Sequence, residues 1–151
     1  MKIYTLVGKS GTGKSFHAME LCRKKHIEAI IDDGLFIYQS TVVAGISAKR
    51  EATKIGAVKV ALFQRDEVRD EVAEAIAEKA PASILILGTS LGMTDKIILR
   101  LGLLPDVESL SQVERIFIED ITTQEERAAA RTQRDVMGKH VILAKQQMQA
   151  A

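Results

Sequence analysis

Eight residues near the start constrain this chain more than any others. Gly8-Lys9-Ser10-Gly11-Thr12-Gly13-Lys14-Ser15 satisfies the spacing G-x-x-x-x-G-K-[ST] at every fixed position. The apolar, β-branched run Ile3-Tyr4-Thr5-Leu6-Val7 precedes it. A helical pattern follows from Lys14 to about Lys25, with Ala18, Met19, Leu21 and Cys22 as its expected buried side. A strand that turns through glycines into a helix is the opening unit of an α/β sheet. Gly8, Gly11 and Gly13 permit backbone angles and close approach that a side chain would block, so successive N–H groups can point inward at an anion. The helix that follows presents the positive end of its dipole to the same spot.

That geometry suits a polyphosphate. Lys14 is placed to reach the β- and γ-phosphates, and the Ser15 hydroxyl to ligate Mg²⁺. Lys9, Ser10, Thr12 and Phe16 complete the expected cofactor-binding stretch. The implied ligand is a nucleoside triphosphate with Mg²⁺. ATP is expected rather than GTP, because no Asn-Lys-x-Asp guanine-reading segment occurs.

Strands and helices alternate through the rest of the chain. Ala29-Ile30-Ile31 reads as a second strand, stopped by the turn residues Asp32-Asp33-Gly34. Leu35–Tyr38 and Val42-Val43 flank Gln39-Ser40-Thr41, which predicts a hairpin or a third edge strand. One helix is expected from Ser47 to Phe63, with Ala48, Ala52, Ile55, Val58 and Leu62 on its apolar face. Another is expected from about Asp66 to Lys79, carrying Val68, Val72, Ala75 and Ile76. Ile84-Leu85-Ile86-Leu87 is apolar throughout, as a central parallel strand would be. A helix to about Leu101 follows, ending at Gly102 with Pro105 beyond. Arg115–Ile118 is the next expected strand, stopped by Glu119-Asp120. Thr123-Gln124-Glu125-Glu126 is a capping box opening a helix to about Met137, and Val141–Leu143 closes the set. The expected fold is a three-layer α/β arrangement, a mostly parallel sheet with helices on both faces and a hairpin after the second strand. Residues 1–144 would form one nucleotide-binding domain, followed by a polar tail over 145–151.

A phosphate loop needs a carboxylate to hold the magnesium shell and often a second to take a proton. In open α/β sheets ligands bind beyond the C-terminal strand ends. The apolar run Ile84–Leu87 has no acid at its end, so the weight falls on Asp32 and Asp33, with an ordinary turn into the hairpin as the alternative. Glu119-Asp120 competes for the metal role, although acids just before a helix also suit its dipole. Thr89 and Ser90 could contact the γ-phosphate or cap the following helix. For a further cation, Lys49 and Arg50 follow the hairpin. Arg127 is within plausible reach, whereas Arg131 and Arg134 lie farther down the same helix face.

From Gly8 through Asp33, the stretch resembles HPr kinase/phosphorylase. The likeness rests on Gly-x-Ser-Gly-x-Gly-Lys-Ser, an amphipathic helix and a short strand closing on Asp32-Asp33. It implies that one aspartate helps to hold Mg²⁺ and the other assists proton transfer at the phosphoryl acceptor. The resemblance covers about residues 3–38. As a whole, the chain looks similar to small bacterial P-loop ATP-binding proteins.

Composition removes other classes. The 151 residues carry 21 Lys+Arg against 20 Asp+Glu, so no basic field favours nucleic acid as a partner. One cysteine excludes a disulfide framework and a multi-cysteine zinc site. No apolar run approaches the ~20 residues of a membrane span. A cytoplasmic protein is expected, with an acceptor or protein partner that the sequence does not name. The activity expected is ATP hydrolysis or γ-phosphoryl transfer, the alternatives being a nucleotide-gated binding module or an HPr-kinase-like kinase. With no Trp and two Tyr, few residues can stack on a base, so loose base selectivity is expected.

Overall fold

The structure, a computed structural model, describes residues 1–9 and 11–121. Ser10, the expected helix from Thr123 with Arg127, Arg131 and Arg134, the expected strand Val141–Leu143 and the tail lie outside the described residues. β1 (Lys2–Val7) leads into the glycine loop, and α1 (Lys14–Lys25) leaves it. β2 (Ala29–Asp32), β3 (Leu35–Tyr38) and β4 (Thr41–Gly45) come next. A 3-10 turn at Ala48–Arg50 precedes α2 (Lys54–Ala61) and α3 (Asp66–Lys79). Then follow β5 (Ser83–Gly88), α4 (Leu91–Arg100), β6 (Glu114–Phe117) and the short α5 (Ile118–Ile121).

The six strands among the described residues form one mixed sheet in the order β4-β3-β2-β5-β1-β6. β5 pairs in parallel with β1 and β2, and β1 with β6. β2–β3 and β3–β4 are antiparallel, so parallel pairing is confined to one part of the sheet. Backbone conformation at two turns explains this. Asp33 and Gly34 have φ of 54° and 87°, and Gln39 and Ser40 have 48° and 68°. Positive φ at both central residues gives a two-residue turn whose twist matches that of the flanking strands. The chain therefore folds back twice after β2, making two hairpins where the pattern predicts one. Gly34 is needed for space as well, since a Cβ there would lie 2.3 Å from the Ile46 carbonyl oxygen.

β5 is buried at all six residues because helices cover both faces of the sheet. On one face Ile3, Ile31, Ile84 and Ile86 pack against Val72 and Ile76 of α3 and Ile97 and Ile98 of α4. On the other, Leu6, Leu85 and Leu87 pack against Ala18 and Leu21 of α1. Each such fully buried aliphatic side chain contributes about 1.5–3 kcal/mol.

Two arginines fasten elements across this core. Arg115 of β6 makes a two-point ion pair with Asp95 of α4, at 2.8 and 3.3 Å. Arg100, at the end of α4, donates to the carbonyls of Phe63 and Gln64 and to the Asp66 carboxylate.

Three expectations are corrected. The segment from Ser47 to Phe63 is not one helix. Ser47 accepts from the Lys49 N–H and Thr53 from the Gly56 N–H, so two side-chain caps start two separate elements. Its apolar face is not buried as drawn, for Ile55 is 71% exposed and Val58 54%, while Val60 and Ala61 are buried. Met19, expected inside, is 54% exposed. Ile118 opens α5 rather than ending β6, and Glu119 and Asp120 occupy that helix's first turn, where its dipole favours acids.

Candidate functional site

The glycine loop is held at both ends. Gly8 N–H donates to the Gly88 carbonyl at 3.1 Å, hooking the loop onto the end of β5. A Cβ on Gly8 would meet Ile118 Cγ2 at 2.5 Å, so the loop packs against the start of α5. Within the loop, Thr12 Oγ1 donates to the Lys9 carbonyl at 2.6 Å. Lys14 Nζ donates to the Gly8 carbonyl, also at 2.6 Å, so the ammonium reaches back across the loop to its first residue. Gly13 is the N-cap of α1 in the left-handed region, φ 80°, and no side chain caps the helix there. With no side-chain cap from Gly13, the first N–H groups of α1 suit an anion, as a helix N-terminus does. Ser15 is exposed in the first turn, and the Phe16 ring packs edge-on against His17 at 5.2 Å.

The electrostatics bring four charged residues into one neighbourhood. Burial lowers the pKa of Lys14, opposed by the nearby charges of Asp32 and Asp33. Burial raises the pKa of Asp32, reinforced by Asp33 and opposed by Lys49 and Lys14. Attraction between opposite charges would shift each group the other way, so loss of water outweighs pairing for both. Such a cluster gains from added charge: a cation beside the carboxylates and an anion beside the lysine. The Ser15 hydroxyl and the two carboxylates are hard oxygen donors, the type that suits Mg²⁺. Among the described residues no group of three or more His, Cys, Asp or Glu could hold a metal by itself. Mg²⁺ commonly keeps several waters and shares one or two carboxylates with substrate phosphates, so this donor set fits it.

β2 delivers Asp32 as its last residue and Asp33 into the tight turn. The Asp33 carbonyl accepts from Ala48 N–H at 2.8 Å, which folds the Ala48–Arg50 turn over this end of the sheet and explains how Lys49 comes to act on Asp32. Arg50 is not among the charges acting there. Ser90 accepts from Met93 N–H at 3.1 Å and caps α4; Thr89 bonds to Met93 Sδ. Glu119 and Asp120 follow Ile118, the residue packed on Gly8.

Beside Asp33, an open cleft of ≈ 420 Å³ separates α2 from α4. Sequence reasoning missed it, along with Lys96, which lines it. The available signals were Ala57, Val58, Ala61 and Leu62 at one helical face of α2, and Gly92 with Lys96 four apart on α4.

No protein-family model matches the chain, and no solved structure matches it. The chain is similar to an alanine–tRNA ligase from Acidithiobacillus ferridurans, 41% identical over 69 residues. That match covers 44% of this chain and 8% of the ligase, so the chain spans less than a tenth of that protein's length.

Proposed function

We propose that this chain is a three-layer P-loop nucleotide-binding domain that binds ATP with Mg²⁺ and hydrolyses it or transfers its γ-phosphate. One observation carries the reading: Lys14, the first residue of α1, has Asp32 and Asp33, from the end of a strand two places away from β1, close enough to act on its charge. The complete G-x-x-x-x-G-K-[ST] spacing and the uncapped start of α1 support it. Similarity to 8% of an aminoacyl-tRNA ligase is too small a share of that protein to carry its activity across.

In this reading the loop N–H groups and the start of α1 hold the phosphates, and Lys14 turns from the Gly8 carbonyl to the transferring end. Ser15 and Asp32 would hold the metal, which when bound neutralises charge building on the phosphate oxygens. Asp33 orients the attacking hydroxyl or water and accepts its proton. Lys49 opposes the rise in the Asp32 pKa that burial and Asp33 cause. Lys14→Ala should abolish ATP binding measured by calorimetry; unchanged affinity would sink the assignment. Asp33→Asn should depress turnover more than binding, and full turnover would move the acid to Glu119 or Asp120.

A second reading, a nucleotide-gated module with little turnover, is favoured by the end of β5. There Gly88-Thr89-Ser90 supplies no acid, and Ser90 is occupied as a cap. Phosphate-release measurements on the full chain separate the two, because a switch retains ATP binding without release.

A further inference from the structure

The cleft between α2 and α4 shares a wall with the phosphate site. Asp33 lines the cleft and also lies close enough to Lys14 to act on its charge. The remaining lining has a clear chemistry. Ala57, Val58, Ala61, Leu62 and Met93 make an apolar floor, while Thr89, Ser90 and Lys96 supply polar atoms. Lys96 takes part in none of the five ion pairs among the described residues. Among the described residues no aromatic side chain lines the space to stack on a nucleobase. Its volume of ≈ 420 Å³ lies in the range of small-molecule sites.

We propose that this cleft seats the phosphoryl acceptor, a small aliphatic molecule bearing a hydroxyl at one end and a carboxylate at the other. The aliphatic body lies on the α2 face, the carboxylate meets Lys96, and the hydroxyl meets Asp33. The inference rests on the reading of the Lys14 loop as an ATP site. The hydroxyl oxygen forms a bond to the γ-phosphorus as the bond from that phosphorus to the bridging oxygen breaks. The electron pair leaves with the nucleoside diphosphate, and the hydroxyl proton passes to the Asp33 carboxylate.

The test uses the full chain, with 6-hydroxyhexanoate as probe and hexanoate and 1-hexanol as single-group controls, followed by saturation-transfer NMR. A Cβ at Gly92 would have only Ser90 Oγ nearby, at 3.9 Å, so Gly92→Leu adds bulk at the cleft with no clash at its Cβ. Lys96→Gln removes the charge and keeps the length. Lys59→Gln, on α2 but off the cleft, is the control. The expected result is binding of 6-hydroxyhexanoate to the wild type and to Lys59→Gln, weakened about tenfold in Lys96→Gln and lost in Gly92→Leu. With labelled ATP, the wild type should transfer label to 6-hydroxyhexanoate and not to hexanoate. No binding by the wild type, equal binding by Gly92→Leu, or equal binding of 1-hexanol would overturn the proposal. ATP binding measured in the same samples distinguishes the failures. Probe binding without ATP binding removes both the ATP reading and the acceptor role. ATP binding without probe binding removes the acceptor role alone.

Discussion

Arg100→Ala removes three hydrogen bonds in one step, and the structure indicates which of them matter. The guanidinium donates to Phe63 O at 2.8 Å, to Gln64 O at 3.1 Å and to Asp66 Oδ1 at 2.6 Å. Its side chain is 31% exposed and that of Asp66 74%, so the ion pair is solvated while the Phe63 carbonyl lies beside a buried ring. Hydrogen bonds from charged donors contribute roughly 1.5–3 kcal/mol each when sheltered. Discounting for solvent leaves a total loss of about 1.5–3 kcal/mol, most of it at the part-buried Phe63 carbonyl. For a chain of this size each kcal/mol moves Tm by about 2–4 °C, so the variant should melt about 3–12 °C lower by circular dichroism. Asp66→Asn should be nearly silent, and high salt should change the Arg100→Ala deficit little. Arg100→Lys should recover less than half, since an ammonium cannot present the planar fork. A Tm within about 1 °C of wild type for Arg100→Ala, or a deficit abolished by salt, would refute the reasoning.

Other outcomes follow from the same geometry. Asp32 has its pKa raised by burial and by Asp33, so the native state binds its proton more tightly than the unfolded chain does. Stability from this group is therefore lost as pH rises through the raised value. Asp32→Asn should melt higher than wild type near pH 7 without ligand, with the advantage shrinking toward pH 4, in a pH series of thermal melts. Gly34→Ala places a Cβ 2.3 Å from Ile46 O at φ 87°, and should cost at least ~2 kcal/mol in urea unfolding. Burial pushes the Cys22 thiol up to about 11, so native protein at pH 8 should react slowly with a disulfide reagent and quickly in denaturant. ATP and GTP should bind with similar affinity in a calorimetric comparison, and strong selectivity would count against phosphate-dominated recognition.

Much of this architecture is legible in local chemistry. The spacing Gly8 to Ser15 needs no tertiary context, since each residue type answers to a backbone angle or, in the proposed reading, to a phosphate. Ile84–Leu87 is apolar on both faces because helices cover both, which the run itself announces. Asp33-Gly34 marks a tight turn through the residues that tolerate positive φ. Legibility fails where tertiary contacts decide. Ala48, Ile55 and Val58 share a period that reads as one buried helix face, yet the Ser47 and Thr53 caps divide the segment. The packing of α2 then leaves Ile55 and Val58 exposed. Gln39-Ser40 carries no glycine, so its positive φ values were invisible in the letters. The cleft is a product of two helices more than thirty residues apart, and Lys96 has meaning only once α2 faces it.

The placing of Asp33 has one more consequence. Its backbone is bound to Ala48 and confined to a turn with fixed dihedrals, while its carboxylate serves two walls. Any ligand that changes the charge or orientation of that carboxylate from one wall is felt at the other. Thermodynamic reciprocity then ties the two occupancies together. Whatever factor an occupant of the cleft applies to nucleotide affinity, the nucleotide must apply to the occupant. In the proposed reading, a measurable coupling factor rather than two independent isotherms is the behaviour expected of a shared aspartate.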